Sequence, residues 1–380
     1  MANSRIQLSG PDITQHEIDV VLDAMKNGWH EKPYEYVEKF QKDFARYHNR
    51  KFAIMTPSCT TAIHLLLTCL GIKENDEVIV PECTWIATAA PITYLRAKPV
   101  FCDIDKNNWC SAPSSIESNI TEKTKAIIVV DLFGNMPHMD EIIALGKKYN
   151  IPIIEDAAES LGSVYKETRA GKFGTASVFS FHRTKTLTTG EGGMLLLDDE
   201  ELYKKCMIWR DHGRDGALPH HMRDPTQKMY FNQYVTYKYM PCNLLAALGS
   251  AQFDRVEELV RKKRRHLQLY QNELSSIGDL QFNEESDIVY NGAWITTMVM
   301  GNSHQTCKET FIQKMQDEGV GIRPFFYPLS MLPAFNIREN REKNYVSYDV
   351  SSRGVNLPGS FLMGDDDIKF VCDKIKKVLK

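Results

Sequence analysis

Residues 176–197 read ASVFSFHRTKTLTTGEGGMLLL: an apolar run to Phe181, a polar loop that carries Lys185 and three glycines, and a second apolar run from Met194 to Leu197. Each run is too short for a helix and has the length of a strand buried on both faces. The glycines let the intervening backbone turn tightly. Outward from this stretch the same texture recurs, with apolar runs at 52–56, 77–80, 98–102, 125–130 and 151–155 separated by helical stretches. Alternation of this kind builds a mainly parallel sheet wrapped by helices, so the expected fold class is α/β.

Toward the N-terminus, Thr14 and Glu17 stand at capping-box spacing. They predict a helix that carries Ile18, Val21, Leu22 and Met25 on one stripe and stops at Gly28. A second amphipathic helix carries Val37, Phe40 and Phe44. Beyond about residue 250 the pattern changes to a long charged helix over 254–275, an alternating segment Ala293 to Met300, a helix near 307–317, a strand near 320–326 and a terminal helix. This reads as a smaller α+β unit, so the chain is divided into a large domain, 1–250, and a small C-terminal domain, 251–380.

The 380 residues are 43% hydrophobic, enough for a large core. The formal charge of -3 gives no electrostatic reason to expect nucleic acid or an anionic membrane as a partner. The basic run Arg261 to Arg265 is expected to be the solvated face of a helix, because Glu257 and Glu258 lie one turn upstream. Nine cysteines show neither a C-x-x-C pair nor metal-ligand spacing, which fits a reducing compartment. No signal-peptide core or membrane-length apolar stretch is visible, and a soluble cytoplasmic protein is expected. His212, His220 and His221 in a polar loop suggest a metal only weakly, since adjacent histidines point apart and no carboxylate or cysteine stands at ligand spacing. No metal is therefore expected.

Ligands of an open parallel sheet bind beyond the carboxyl ends of its strands. The run ending at Glu155-Asp156 places a carboxylate there, though a salt-bridged core residue would look the same. The run ending at Phe181 is followed by His182-Arg183-Thr184-Lys185 and by Thr188 and Thr189, whose hydroxyls could bind an anion. A lysine at such a rim near a carboxylate is a candidate Schiff-base nucleophile, although most lysines are solvated surface charges. Ser58-Cys59-Thr60-Thr61 opens an apolar helix, and free amides at a helix start can cradle a phosphate or simply receive an ordinary cap. Thr84-Trp85 brings a flat ring to the same rim. A phosphate cradle, a stacking ring, a carboxylate for a pyridinium nitrogen and a lysine for an aldehyde are what pyridoxal 5'-phosphate requires.

The segments EDAAESLGS at 155–163, SFHRTKTLTTGEGG at 180–193 and RPFFYP at 323–328 resemble the DegT/DnrJ/EryC1/StrS family of sugar aminotransferases, and the resemblance covers almost the whole chain. It implies the fold-type-I architecture of pyridoxal-phosphate enzymes. Within the family the chain is most similar to nucleotide-sugar 4-aminotransferases such as the perosamine synthases. The resemblance implies that Lys185 carries the cofactor, that Asp156 pairs with its ring nitrogen and that Trp85 stacks on it. It also implies that Cys59, Thr60 and Ser180 hold the phosphate and that Glu159 lies near the ring hydroxyl. Lys238 matches a position that reaches the phosphate of a neighbouring subunit, which implies a homodimer with shared active sites. Trp29, His182 and Tyr327 fall in the segments expected to face the substrate.

Three departures bear on the substrate. Ser58-Cys59-Thr60 stands where the family often has Asn-Gly-Thr, Ser330 where many members have His, and Glu31-Lys32-Pro33 where Ser-Gly usually follows the early Trp. The expected reaction is transfer of the amino group of L-glutamate to C4 of a nucleotide-linked 4-keto-6-deoxy sugar. Alternatives are a 3-keto-sugar or cyclitol aminotransferase, or a non-catalytic binding protein on the same fold. A cofactor-dependent 3-dehydratase would carry His at the position of Lys185.

Overall fold

In the computed structural model, residues 6, 8–216, 218–226, 228, 230–304, 306–337 and 339–379 are described, except for the side chain of His220. One helix, α1 (Gln15–Asn27), is opened by the reciprocal Thr14–Glu17 capping box and ends at Gly28. The next, α2 (Glu35–Tyr47), buries Val37, Phe40 and Phe44 as its periodicity requires. The stripe on α1 behaves otherwise. Ile18, Leu22 and Met25 are 52%, 46% and 51% exposed, while Glu17 and Ala24 face inward. On the inward face Glu17 is held by Arg255 at 2.8 Å and by Gln252 at 2.8 Å, so its buried carboxylate is fully paired.

The strands, in chain order, are β1 (Phe52–Thr56), β2 (Glu77–Pro81), β3 (Lys98–Cys102), β4 (Thr124–Val130), β5 (Ile153–Asp156), β6 (Val164–Tyr165), β7 (Thr168–Arg169), β8 (Ala176–Ser180) and β9 (Gly193–Leu197). Seven of them form one sheet in the order β1-β9-β8-β5-β4-β2-β3. Pairing is parallel from β8 through β3, whereas β9 runs antiparallel to both of its neighbours. The centres of its strands are buried on both faces, which explains why they read as apolar runs with polar residues mainly at their ends. The short β6 and β7 form a separate three-stranded sheet with β11 (Val289–Tyr290).

A four-stranded antiparallel sheet is built from β10 (Leu280–Phe282), β12 (Thr297–Met300), β13 (Arg323–Pro324) and β14 (Gly354–Asn356), with β12 and β14 central. Helices 256–274, 308–317 and 365–379 pack with it around one apolar cluster that includes Tyr270, Phe311 and Val371. The segment expected to alternate is buried throughout 291–300, so no period of two reaches the surface. The expected strand near 320–326 shortens to two residues at Pro324. The basic run is not a wholly solvated face either, because Lys263 is buried and donates to the Gly359 carbonyl at 2.5 Å. Among the described residues no helix is long and apolar enough to cross a membrane.

Candidate active site

The carboxyl ends of β5 and β8 deliver Asp156 and Ser180 to one rim, and the loop after β8 brings Lys185 back over it. That loop is held by its own backbone, with Lys185 N–H donating to His182 O and Thr189 N–H to Phe181 O, both at 2.9 Å. The hydroxyls of Thr188 and Thr189 donate to Phe181 O at 3.0 Å and Glu191 O at 2.6 Å. They therefore brace the loop, spending their hydroxyl protons within it.

Lys185 Nζ lies 3.1 Å from Glu159 Oε1 and 3.7 Å from the ring centroid of Trp294. The other oxygen of Glu159 accepts the Phe133 N–H at 2.9 Å. Trp294 is fixed in turn by its indole N–H, which donates to Thr184 O at 2.7 Å. The amine is thus positioned from both sides, by a carboxylate and by a ring face.

Asp156 is buried. One oxygen accepts the Thr88 hydroxyl at 2.8 Å, and the other accepts the Ala158 N–H at 3.2 Å with the Cys59 thiol at 3.9 Å. Burial pushes its carboxyl up to about 6, against the lowering effect of those hydrogen bonds and of the Lys185 charge. A carboxylate that is costly to leave unpaired is suited to a cationic partner such as a protonated ring nitrogen.

At the start of the helix α3 (Cys59–Cys69), Ser58 and Thr61 cap each other, Ser58 Oγ accepting Thr61 N–H at 3.2 Å and Thr61 Oγ1 accepting Ser58 N–H at 3.1 Å. The N–H groups of Cys59 and Thr60 have no intrahelical partner, as at any helix start, and offer two donors to an anion. The ordinary cap is present, and it leaves these two amides uncapped beside it. Sheet register sets Thr56, Gly193 and Ser180 side by side, so Ser180 lies next to this helix start. A Cβ on Gly193 would stand 2.4 Å from Ser58 C and 2.5 Å from Cys59 N, so only glycine allows the approach.

Trp85, 61% exposed, precedes the short turn Ile86–Thr88 whose last residue bonds Asp156. Its ring lies 6.1 Å from that of Phe326, which stacks at 5.4 Å on Phe133. His182 Nδ1 lies 3.0 Å from Thr184 Oγ1, and burial lowers its basicity. Tyr327 is partly exposed, with the Lys308 ammonium 4.0 Å from its ring centroid. Trp29 donates its indole N–H to Met25 O at 2.8 Å, and Lys238 pairs with Asp211 at 2.7 Å. No hydrogen bond or ring contact among the described residues ties Trp29, Tyr327 or Lys238 to the Lys185 cluster.

Ser330, one of the departures expected to face the substrate, is buried instead, its N–H donating to Glu82 Oε1 at 2.7 Å and its hydroxyl 2.9 Å from Tyr348 OH. Gly193 stands in the glycine-bearing loop read from the sequence, though for turning and not for its close approach to α3, whereas Thr88, Phe133 and Trp294 carry no such mark. Thr88 sits three residues after Trp85 and was within reach of that reasoning, whereas nothing local marks Trp294 as a partner of Lys185.

An amine, a buried carboxylate and free helix-start amides around one rim fit pyridoxal phosphate, and this fold with this site defines a fold-type-I pyridoxal-phosphate-dependent enzyme. The model of the DegT/DnrJ/EryC1/StrS aminotransferase family matches residues 11–376, and the chain belongs to that family. It is 34% identical over 367 residues to a GDP-perosamine synthase of Escherichia coli, covering 97% of this chain and 96% of that one. It is 32% identical over 376 residues to a GDP-perosamine synthase of Caulobacter vibrioides, covering 99% and 98%. A sugar aminotransferase from Streptococcus pneumoniae, solved in its PLP form, superposes with a TM-score of 0.88 at 26% identity, covering 98% of each chain. The chain is accordingly a sugar aminotransferase whose cofactor is pyridoxal 5'-phosphate.

Proposed function

We propose that the enzyme transfers the amino group of L-glutamate to C4 of a nucleotide-linked 4-keto-6-deoxy sugar. The observation that carries this reading is the convergence of Lys185 Nζ, the buried Asp156 carboxylate and the start of α3 on one rim, in a chain similar throughout to GDP-perosamine synthases. When bound, the cofactor supplies a ring that accepts the electron pair left on the substrate carbon. Lys185 carries it and, once released, moves the proton at that carbon. Asp156 holds the proton on the ring nitrogen, with Thr88 and Ala158 keeping its oxygens aimed. The Cys59 and Thr60 amides and the Ser180 hydroxyl bind the phosphate, Trp85 covers the ring against water, and Glu159 orients Lys185. Trp29, His182 and Tyr327 contact the sugar nucleotide.

We also propose a homodimer in which Lys238 reaches the neighbouring cofactor phosphate. The exposed stripe Ile18, Leu22 and Met25 on α1 supports this, since an unpartnered apolar helix face marks an interaction surface. A cytoplasmic location, supported by nine unpaired cysteines of which seven are buried, and a domain division near residue 250 belong to the same reading.

The test is incubation of the holoenzyme with L-glutamate and a panel of nucleotide-linked 3-keto and 4-keto sugars, with products identified by mass and carbon position. Amination at C4 is expected. Amination at C3 alone, or of a cyclitol alone, overturns the substrate assignment.

A further inference from the structure

A cavity of about 660 Å³ lies away from the Lys185 rim, along the outer edge of the large sheet, where α2, the N-terminal half of β1 and the helix Glu200–Arg210 meet the segment 211–223. Its size is that of a small-ligand site. Five cations line it, Lys42, Lys51, Arg210, Arg214 and Arg223, against two carboxylates, Glu38 and Asp211. Asp211 is already neutralised by Arg214 at 2.6 Å, which leaves Lys42, Lys51, Arg210 and Arg223 against Glu38. Excess positive charge therefore remains.

Arg210 is the unusual member. Its side chain is 2% exposed, and it spends Nη1 on Gln41 Oε1 at 3.1 Å and Met55 O at 2.9 Å. Among the described residues its buried Nε has no hydrogen-bond partner, and no carboxylate pairs with the guanidinium. A buried cation left without an anion is costly, and evolved interiors pair such groups. Burial pushes it down to about 10, the direction expected of a charge that lacks its counter-ion.

We propose that this cavity is a binding site for a phosphate-bearing anion, with Arg210 as its buried anchor and Lys42 and Lys51 at its exposed edge. Phosphate suits a fixed guanidinium, which can present two parallel N–H donors to two oxygens. The anion is either the diphosphate of the sugar nucleotide or a free nucleotide. Whether the site exists is read by binding alone and does not depend on the substrate assignment above; only the choice between its two anions rests on that reading.

The test is calorimetric titration of the PLP-loaded enzyme, whose cofactor cradle is filled, with inorganic diphosphate and with GDP. Saturable binding is expected, weakened about tenfold in K42Q/K51Q and in Arg210→Gln, and lost in Gly216→Trp. Gly216 lines the cavity and a Cβ there meets nothing within 4 Å among the described residues, so a tryptophan adds bulk at the cavity wall without a clash at its base. If the anion is the substrate's diphosphate, these variants raise KM for the keto-sugar nucleotide and leave the absorbance change on adding L-glutamate untouched. If it is a free nucleotide, KM stays constant while the Kd for GDP rises with that for diphosphate. Absence of binding at millimolar concentration, or equal Kd in the wild type and Gly216→Trp, overturns the site.

Discussion

Lys185 and Glu159 form an ion pair of 3.1 Å whose side chains are only 13% and 5% exposed, and the same carboxylate accepts the N–H of Phe133, a residue at φ 54°. Glu159 thus holds a charge with one oxygen and a left-handed backbone with the other. Glu159→Ala leaves both unpaired and is expected to cost the cofactor-free protein on the order of 3 kcal/mol in urea unfolding, the range for breaking a buried pair. Glu159→Gln keeps an acceptor for Phe133 and should recover about 1 kcal/mol of that. Equal unfolding midpoints for the two variants would contradict this division of labour.

Asp156 should trade stability against function. Its carboxyl, raised by burial from the ordinary 3.8 to about 6, binds its proton more tightly in the folded chain than in the unfolded one. That contribution is fully present below about pH 3.8 and is lost as the pH rises through 6. Asp156→Asn removes the ionisation, so the variant without cofactor should match the wild type near pH 4 and exceed it by about 3 kcal/mol above pH 7. Transamination should fall by two orders of magnitude or more, since the ring nitrogen loses its anionic partner. A stability difference independent of pH would refute the argument.

Lys185→Ala should abolish turnover and the absorbance of covalently held cofactor while the circular dichroism stays that of a folded protein. The amine makes one ion pair and one ring contact, so its loss removes chemistry without opening the core. A variant that kept a tenth of the wild-type rate would displace Lys185 from its role.

How far these residues could be read in advance depended on whether the sheet spoke for them. β1 and β3 are apolar apart from one end residue each, Thr56 and Lys98, so 52–56 and 98–102 coincide with them, and the polar residues that end β5 and β8 stood out as rim residues by contrast. The small sheet has no such signature, because its strands have only two to four residues, too few to set a run apart from its surroundings. Trp294, which fixes Lys185 from below, comes from 110 positions beyond its partner Thr184, a separation at which no local pattern carries information. The α1 stripe was legible as a pattern, yet a periodic apolar face does not say whether its own chain or another covers it, and here Glu17 and Ala24 face inward instead.

That stripe has its own consequence. If Ile18, Leu22 and Met25 are covered by a second copy, Leu22→Glu introduces a charge into an apolar interface and should turn a dimer into a monomer in sedimentation velocity, with little change in thermal unfolding of the isolated chain. A wild-type enzyme that sediments as a monomer at micromolar concentration would remove the basis for shared active sites.

Gly193 separates conformational from steric need for glycine. Its φ is not in the left-handed region, yet a Cβ there would meet backbone atoms Ser58 C and Cys59 N at 2.4 and 2.5 Å, and backbone cannot swing aside as a side chain can. Gly193→Ala must push the start of α3 away from Ser180, spreading the donors that hold the phosphate. The Kd for pyridoxal phosphate, followed by absorbance titration, should rise at least tenfold, about 1.4 kcal/mol. Gly190→Ala is the contrasting case: φ is 81° with open space around the missing Cβ, so it should cost about 1 kcal/mol of stability with little effect on cofactor affinity. Equal losses of affinity in the two variants would mean that loop strain, not the spacing of the cradle, governs how the phosphate is held.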